Sequence, residues 1–226
     1  MQKSQTDLAQ QIRSLFIPGP AGRLEALLNT GAENATHTAV VCHPHPLYGG
    51  NMHDKVVFRV MKALNQFGFP VLRFNFRGAG LSAGEYDGGR GEVDDVRAAL
   101  DWLDAEFHLP ILCAGFSFGA TAALNAGCRD ERVQALISAG TPLKVGDVSY
   151  DYSFLEGVAK PKLFVSGGRD QFGPRAGLES LVGSLPEPKQ LVIIDGAPHV
   201  FGGKVDQLEA TIKDWVAKTL GLPVNG

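Results

Sequence analysis

The pentapeptide Gly115-Phe116-Ser117-Phe118-Gly119 decides the fold of this chain. An apolar run at residues 111–114 precedes it, and residues 120–126, rich in helix formers, follow it. A serine between two glycines at this spacing, between a strand and a helix, is typical of a nucleophile elbow. Glycine is needed because a side chain on either flank would collide within the tight turn. We therefore predict that the Ser117 hydroxyl is exposed beside the Phe118 amide, which lies at a helix N-terminus suited to a developing oxyanion.

Length and composition narrow the possible functions. The chain has 226 residues, enough for the single α/β domain that we predict, and is 44% hydrophobic and 20% charged, as in ordinary globular proteins. Its net charge is −3 with no basic run, which argues against nucleic acid as a partner. No segment reaches the roughly 18 apolar residues of a membrane span, and the polar first residues do not resemble a signal peptide.

Three cysteines, Cys42, Cys113 and Cys128, show no metal-binding or redox spacing. Two of them lie in apolar, strand-like runs, which predicts small buried hydrophobic side chains. An odd number of cysteines without an export signal favours a cytoplasmic location.

Short apolar runs alternate with amphipathic segments along the chain. Residues 12–28 predict two strands around a turn cluster at residues 18–22, which gives an N-terminal antiparallel hairpin. Further strands are predicted at residues 39–42, 71–76, 111–114, 135–139, 163–165 and 191–194, and helices at residues 56–67, 93–107 and 205–216. This order indicates a mostly parallel central sheet with helices on both faces. The irregular segment 139–160 is too short for a cap domain and predicts either one wall of a pocket or a plain surface loop.

A nucleophilic serine needs a base, and the base needs an acid that holds its tautomer. Among the six histidines, His199 follows the last predicted strand, so it lies at the same sheet edge as the elbow. Asp170 and Asp195 are the candidate acids. Asp170 follows the strand at residues 163–165 at a suitable distance, whereas Asp195 lies four residues before His199 and is better suited to shaping that loop. We predict Ser117, His199 and Asp170 as the catalytic residues.

The order Ser117, Asp170, His199 resembles that of the α/β-hydrolases. More narrowly, the chain resembles small bacterial serine hydrolases without a lid. The residues that carry this resemblance are His43-Pro44-His45-Pro46-Leu47-Tyr48-Gly49-Gly50 and Asn75-Phe76-Arg77-Gly78. The branch that includes dienelactone hydrolase uses cysteine as its nucleophile, from which the serine at position 117 departs.

The resemblance implies an α/β-hydrolase fold and an oxyanion donor in the loop after residues 39–42. Pro44 and Pro46 have no N–H and are excluded, which leaves His45, Leu47 or Tyr48. By analogy with His-Gly-x loops of the superfamily, the Leu47 amide is favoured as the partner of the Phe118 amide. Residues expected to contact the substrate are Tyr48, Leu143, Phe172 and Phe201, with Phe118 beside the acyl pocket.

Three other features suggest functions that we consider weaker. His43, His45 and His53 could hold a metal, but no acidic or cysteine partner is suitably spaced, so we expect the rings to brace the oxyanion loop and no metal to bind. Gly78-Ala79-Gly80-Leu81-Ser82-Ala83 imitates a dinucleotide fingerprint but does not open a helix. Arg77 is expected to pin neighbouring loops rather than bind a substrate carboxylate.

These residues predict a serine hydrolase that cleaves small carboxylic esters through an acyl-enzyme on Ser117, with no cofactor. Its partner would be a small-molecule ester, with neither nucleic acid nor membrane involved, and the chain would be a monomer or a homodimer. Peptidase, amidase and thioesterase chemistry on the same residues remain open. So does a non-catalytic ligand-binding module on the same fold.

Overall fold

A computed structural model describes residues 11–223 of the chain. The first two strands, β1 (Ile12–Gly19) and β2 (Gly22–Asn29), pair antiparallel through a turn in which Gly19 faces Gly22. The N-terminal hairpin predicted from the turn cluster is therefore confirmed.

Within the described residues, eight strands form one sheet in the order β1-β2-β4-β3-β5-β6-β9-β10. Strand β2 also pairs antiparallel with β4, while β4, β3, β5, β6, β9 and β10 run parallel to one another. The remaining sheet strands are β3 (Thr38–Cys42), β4 (Val71–Phe74), β5 (Ile111–Phe116), β6 (Val133–Ala139), β9 (Lys162–Gly167) and β10 (Lys189–Ile194). The mostly parallel sheet is confirmed.

One predicted strand is too long at its end. Strand β4 stops at Phe74 rather than at Phe76. The Asn75 N–H still donates to the Glu25 carbonyl of β2, but the Phe76 N–H leaves the sheet and donates to the His43 ring. These bonds leave residues 75–78 free to form the loop beside the predicted site.

Helices cover both faces of the sheet and bury two apolar clusters, as expected for parallel strands. They are α1 (Lys55–Asn65), α2 (Arg90–Phe107), α3 (Phe118–Gly127), α4 (Arg175–Ser184) and α5 (Val205–Leu220). Helix α4 was not predicted, because apolar residues do not recur along it in a clear helical pattern. Its buried side chains are Leu178 and Val182. None of the helices in the described part of the chain has the length and apolar character needed to span a bilayer.

The segment between β6 and β9 contains a two-stranded hairpin that the sequence analysis missed. Strands β7 (Lys144–Val145) and β8 (Val148–Ser149) pair antiparallel, and a short 3₁₀ turn at Ser153–Leu155 follows them. Both strands have two residues, too few for a periodic pattern. The hairpin lies at the carboxyl edge of the sheet, where the loops after β3, β5, β9 and β10 also meet.

Candidate active site

The elbow between β5 and α3 holds Ser117 in a strained backbone conformation, with φ 55° and ψ −124°. The two flanking glycines are required by the surrounding backbone. A Cβ at Gly115 would collide with the Gly119 carbonyl, and a Cβ at Gly119 would collide with the His43 carbonyl. The second contact shows that the elbow helix packs directly against the loop after β3.

Ser117, His199 and Asp170 form one hydrogen-bonded chain. The Ser117 Oγ lies 2.9 Å from the His199 Nε2, and the His199 Nδ1 lies 2.8 Å from the Asp170 Oδ2. His199 is 9% exposed and Asp170 is 5% exposed, so bulk water has little access to the bond between them. The sequence placed these residues 82 and 29 positions apart, and the fold brings them to one edge of the sheet.

Asp170 is held by groups that favour its ionised form. Burial alone would raise the pKa of this carboxyl, but the His199 ring and the amides of Phe172 and Gly173 outweigh burial and lower the pKa below its ordinary value. The Phe172 amide donates to Oδ1 at 2.9 Å, and the Ser166 hydroxyl donates to Oδ2 at 3.1 Å. Asp195, the other candidate acid, is exposed at the end of β10, and the fold brings Asp170 to the His199 ring instead.

His43 braces the loop after β3. Its Nε2 accepts a hydrogen bond from the Phe76 amide at 2.9 Å, so the proton lies on Nδ1, which donates to the Pro44 carbonyl at 2.6 Å. The ring is fully buried, and burial lowers the pKa of His43 to about 4. A neutral imidazole with both nitrogens occupied cannot ligate a metal, and it carries the bracing role expected for it.

The structure argues against Leu47 as an oxyanion donor. Its amide donates to the His45 Nδ1 at 3.3 Å, and its side chain is 67% exposed. The His45 carbonyl accepts from the Tyr48 and Gly50 amides, whereas within residues 11–223 the His45 amide has no acceptor of its own. The Phe118 amide is likewise free, because the first amides of a helix have no intrahelical partner. The His45 and Phe118 rings lie 4.9 Å apart, so both residues belong to one contact.

Comparisons with known proteins agree with this architecture. Residues 35–160, more than half of the chain, match the family model described as serine aminopeptidase, S33. An α/β serine hydrolase homologue from Coxiella burnetii is 36% identical, with a TM-score of 0.82 over 89% of this chain and 96% of that one. This chain belongs to the α/β-hydrolase superfamily.

Two further relatives extend the match over almost the whole chain. An α/β serine hydrolase without a lid from Xanthomonas campestris is 32% identical to this hydrolase, with a TM-score of 0.84 over 97% of this chain and 99% of that one. An uncharacterized protein of Rickettsia prowazekii is 35% identical over 212 residues, which are 89% of this chain and 87% of the relative. The resemblance stated from the sequence motifs is therefore confirmed.

A cavity of about 410 Å³ opens in front of the Ser117 side chain of this hydrolase. It reaches both Ser117 and His199, and two of the residues predicted to contact substrate, Tyr48 and Phe172, line it. The Phe172 ring meets the His199 ring edge-on with centroids 4.8 Å apart. Most of the lining is apolar, which suits a small uncharged group.

Two other substrate contacts predicted from the sequence are wrong. Phe201 is fully buried and packs with its ring 6.4 Å from that of Phe116, inside the core of the hydrolase. Leu143 packs against the core beside Gly177, and its amide donates to the Phe172 carbonyl. Phe201 directly follows the cavity residue Val200, and Leu143 lies two positions before the cavity residue Val145, but both side chains pack against the core.

The cavity is also lined by Val145, Tyr150 and Val200. Tyr150 lies in segment 139–160, for which a pocket wall was one of the two predictions, whereas Val145 and Val200 were not singled out from the sequence. Val145 and Tyr150 belong to the segment around the β7–β8 hairpin, whose pairing has no local sequence signal. Val200 follows His199 directly and is 56% exposed. An apolar residue left exposed beside a reactive group is the signal that could have identified it.

Arg77 has the structural role predicted for it. Its Nε and Nη2 both bond to the Asp95 carboxylate, at 3.0 and 2.7 Å, and its own amide donates to the same group at 3.0 Å. The Gly78–Ala83 motif forms turns, and the next helix begins at Arg90. The dinucleotide interpretation therefore lacks the helix N-terminus that it requires.

Proposed function

We propose that this hydrolase cleaves small carboxylic esters through an acyl-enzyme on Ser117. The observation that carries the proposal is the hydrogen-bonded chain from the Ser117 hydroxyl through His199 to Asp170, open to a cavity of about 410 Å³. That volume lies near the small end of ligand pockets, which supports a small substrate.

In the acylation step, the His199 Nε2 takes the proton from the Ser117 hydroxyl as the oxygen attacks the ester carbonyl. Asp170 accepts the Nδ1 proton, keeps the ring in the required tautomer and stabilises the imidazolium. His199 then gives its Nε2 proton to the departing alkoxide, and the acyl group stays on Ser117.

The negative charge that develops on the carbonyl oxygen needs two N–H donors. We assign these donors to the amides of Phe118 and His45, in place of Leu47. Because the His43 ring and two prolines hold the loop, the His45 amide needs little rearrangement as charge appears. Water then attacks the acyl carbon, gives its proton to His199 and releases the acid, and the proton returns to Ser117.

Peptide hydrolysis is the second candidate, because the matching family model is described as serine aminopeptidase, S33. An aminopeptidase also needs a carboxylate for the substrate ammonium group. Asp54 lines the catalytic cavity, but its Oδ1 accepts the Val56 and Val57 amides as the N-cap of α1. One oxygen of this carboxylate is thus held by the helix, which leaves it less suited to an ammonium group and favours esters over peptides.

The test compares the wild type with Ser117→Ala and with Ser153→Ala, an exposed serine used as the control. We expect the wild type and Ser153→Ala to hydrolyse 4-nitrophenyl butanoate and to bind a fluorophosphonate probe covalently. Ser117→Ala should lose about 10³- to 10⁶-fold in kcat and all labelling. Alanyl 4-nitroanilide in the same assay measures the peptidase candidate, and faster cleavage of that amide than of the ester would replace our proposal.

A further inference from the structure

A second cavity of about 320 Å³ adjoins the catalytic one. The two share a wall formed by His45, Tyr48, Val145 and Tyr150. The second cavity, here called the side cavity, does not reach Ser117 or His199. It lies beyond Phe118, over the exposed side of α3 and under the β7–β8 hairpin. Nothing in the chemistry of the triad requires such a space.

The geometry of acyl transfer indicates which half of a substrate would enter the side cavity. The leaving oxygen must lie beside the His199 Nε2 to receive its proton, so the leaving group occupies the part of the catalytic cavity lined by His199 and Val200. The carbonyl oxygen points toward the Phe118 and His45 amides. The acyl chain is left to run across the shared wall and into the side cavity.

Several aromatic rings line the side cavity. The His45 ring lies 4.7 Å from the Tyr86 ring and 4.7 Å from the Tyr48 ring, and the Tyr86 and Phe118 rings are 6.0 Å apart. Phe154 completes the lining on the hairpin side. Flat rings with these offsets favour another flat ring over an aliphatic group of the same size.

Polar groups of the side cavity are left without partners. The Asn125 side chain is half-buried on α3, and within residues 11–223 its amide makes no hydrogen bond. The Arg90 guanidinium at the mouth likewise has no ion pair in the described part of the chain. Tyr150 also lines this space, and among the described residues its hydroxyl has no hydrogen-bond partner. A half-buried amide without a partner is satisfied best by a ligand that both donates and accepts.

We propose that the side cavity binds the aryl end of the acyl group, and that Asn125 selects rings that carry a hydroxyl. This inference rests on the proposed ester hydrolysis at Ser117 and names its substrate class as arylalkanoyl esters. A two-carbon spacer between the carbonyl and the ring spans the shared wall.

The experiment uses four 4-nitrophenyl esters that differ in the acyl group alone. They are the butanoyl, 3-cyclohexylpropanoyl, 3-phenylpropanoyl and 3-(4-hydroxyphenyl)propanoyl esters. None has a ring conjugated with the carbonyl, so their intrinsic reactivities are close. We expect kcat/KM for phenyl to exceed that for cyclohexyl about 2- to 10-fold. The hydroxyl should add about another 2- to 10-fold.

Asn125→Leu, which keeps the approximate shape, removes the amide and favours the helix, tests the selecting residue. Gln207→Leu on the exposed side of α5 is its matched control. Asn125→Leu should abolish the advantage of the hydroxyphenyl over the phenyl ester and keep the phenyl preference over cyclohexyl. Gln207→Leu should keep both ratios. Val93→Trp, which fills the side cavity from α2, should bring the phenyl and cyclohexyl esters to equal kcat/KM.

Equal kcat/KM for the phenyl and cyclohexyl esters in the wild type, with butanoyl turnover intact, would overturn the side-cavity assignment and leave ester hydrolysis standing. A preference for esters whose aromatic ring lies in the alcohol rather than in the acyl group would also overturn it. If no ester is turned over, the proposed function fails. The cavity is then judged by binding of 3-(4-hydroxyphenyl)propanoate to Ser117→Ala in NMR titrations. Binding lost in Asn125→Leu supports it, and binding no tighter than that of 3-cyclohexylpropanoate contradicts it.

Discussion

The two sides of the catalytic cavity are built in different ways. One side, the catalytic rim, consists of the loops that carry His45, Ser117, Asp170 and His199, and almost every polar group there has a fixed partner. The other side, the wall at residues 140–156, is a two-stranded hairpin and a short turn. The Tyr150 side chain lies in this wall, and among the described residues its hydroxyl has no hydrogen bond.

This difference separates chemistry from selectivity. A nucleophile and its base must hold their geometry to a fraction of an ångström, and the rim achieves this with buried hydrogen bonds. In the proposed mechanism the wall contacts the substrate far from the reacting atoms, where shape matters more than exact position. Equivalent substitutions on the two sides should therefore have unequal effects.

The largest difference in kcat is expected between Asp170→Asn in the rim and the same substitution in the wall, Asp151→Asn. An asparagine amide facing His199 would donate to Nδ1 and force the ring proton onto Nε2, where it blocks removal of the Ser117 proton. We expect Asp170→Asn to lower kcat for 4-nitrophenyl butanoate about 10³- to 10⁴-fold. The exposed Asp151 bonds to Ser153 and does not reach the His199 ring, so its variant should change kcat less than about 2-fold. Similar losses in both variants would contradict the distinction between rim and wall.

His43, which braces the loop beneath the rim, should affect the free energy of unfolding. The unfolded chain protonates His43 near pH 6.5, but the folded chain resists protonation until about pH 4. The unfolded state therefore binds more protons between these values, and the free energy of unfolding should fall as the pH is lowered from 6.5 to 4. The loss amounts to about 3 kcal/mol.

His43→Gln removes this titration and can still accept from Phe76 and donate to Pro44. Urea unfolding at pH 7 and at pH 4 should show a drop in stability about 3 kcal/mol smaller for His43→Gln than for the wild type. His53→Gln, which replaces an exposed ring, should follow the wild type. If His43→Gln and the wild type have the same pH dependence, the buried neutral ring does not support the loop.

The catalytic rim was largely predictable from the sequence because topology determines it. The elbow needs glycines because any side chain there would collide with the neighbouring backbone, and the loops after parallel strands must meet at one edge of the sheet. Those two facts placed Ser117, Asp170 and His199 before any contact was known. The motif around His43 also predicted a braced loop.

Side-chain direction within a loop was not predictable. Leu47 was favoured as a donor by analogy with His-Gly-x loops of the superfamily, yet the His45 ring accepts its amide hydrogen. Leu143 and Phe201 are apolar and adjacent to the cavity in sequence, but packing turns both into the core. Such choices depend on contacts between distant segments, which hydrophobic periodicity does not encode.

The smallest difference in kcat is expected between variants of two tyrosines that line the side cavity, Tyr86 and Tyr150. The Tyr86 hydroxyl accepts from the His45 Nε2–H at 3.1 Å, which leaves Nδ1 free to accept from the Leu47 amide. Tyr86→Phe removes the acceptor and frees the ring to change tautomer, so the loop that carries the His45 amide loosens. Since that amide acts on the transition state, we expect kcat for the butanoyl ester to fall about 3- to 10-fold with little change in KM.

Tyr150→Phe makes the same chemical change in the wall, where the hydroxyl holds nothing in place, and should lower kcat less. A direct check of the mechanism is the His45 ring tautomer, read from its ¹⁵N chemical shifts. The wild type and Tyr150→Phe should show one tautomer with the proton on Nε2, and Tyr86→Phe a mixture. A pure Nε2–H ring in Tyr86→Phe, together with an undiminished kcat, would mean that the prolines and His43 hold the loop without help from Tyr86. His43 and the two prolines would then fix the loop by themselves, and the rings of the side cavity would act on the substrate alone.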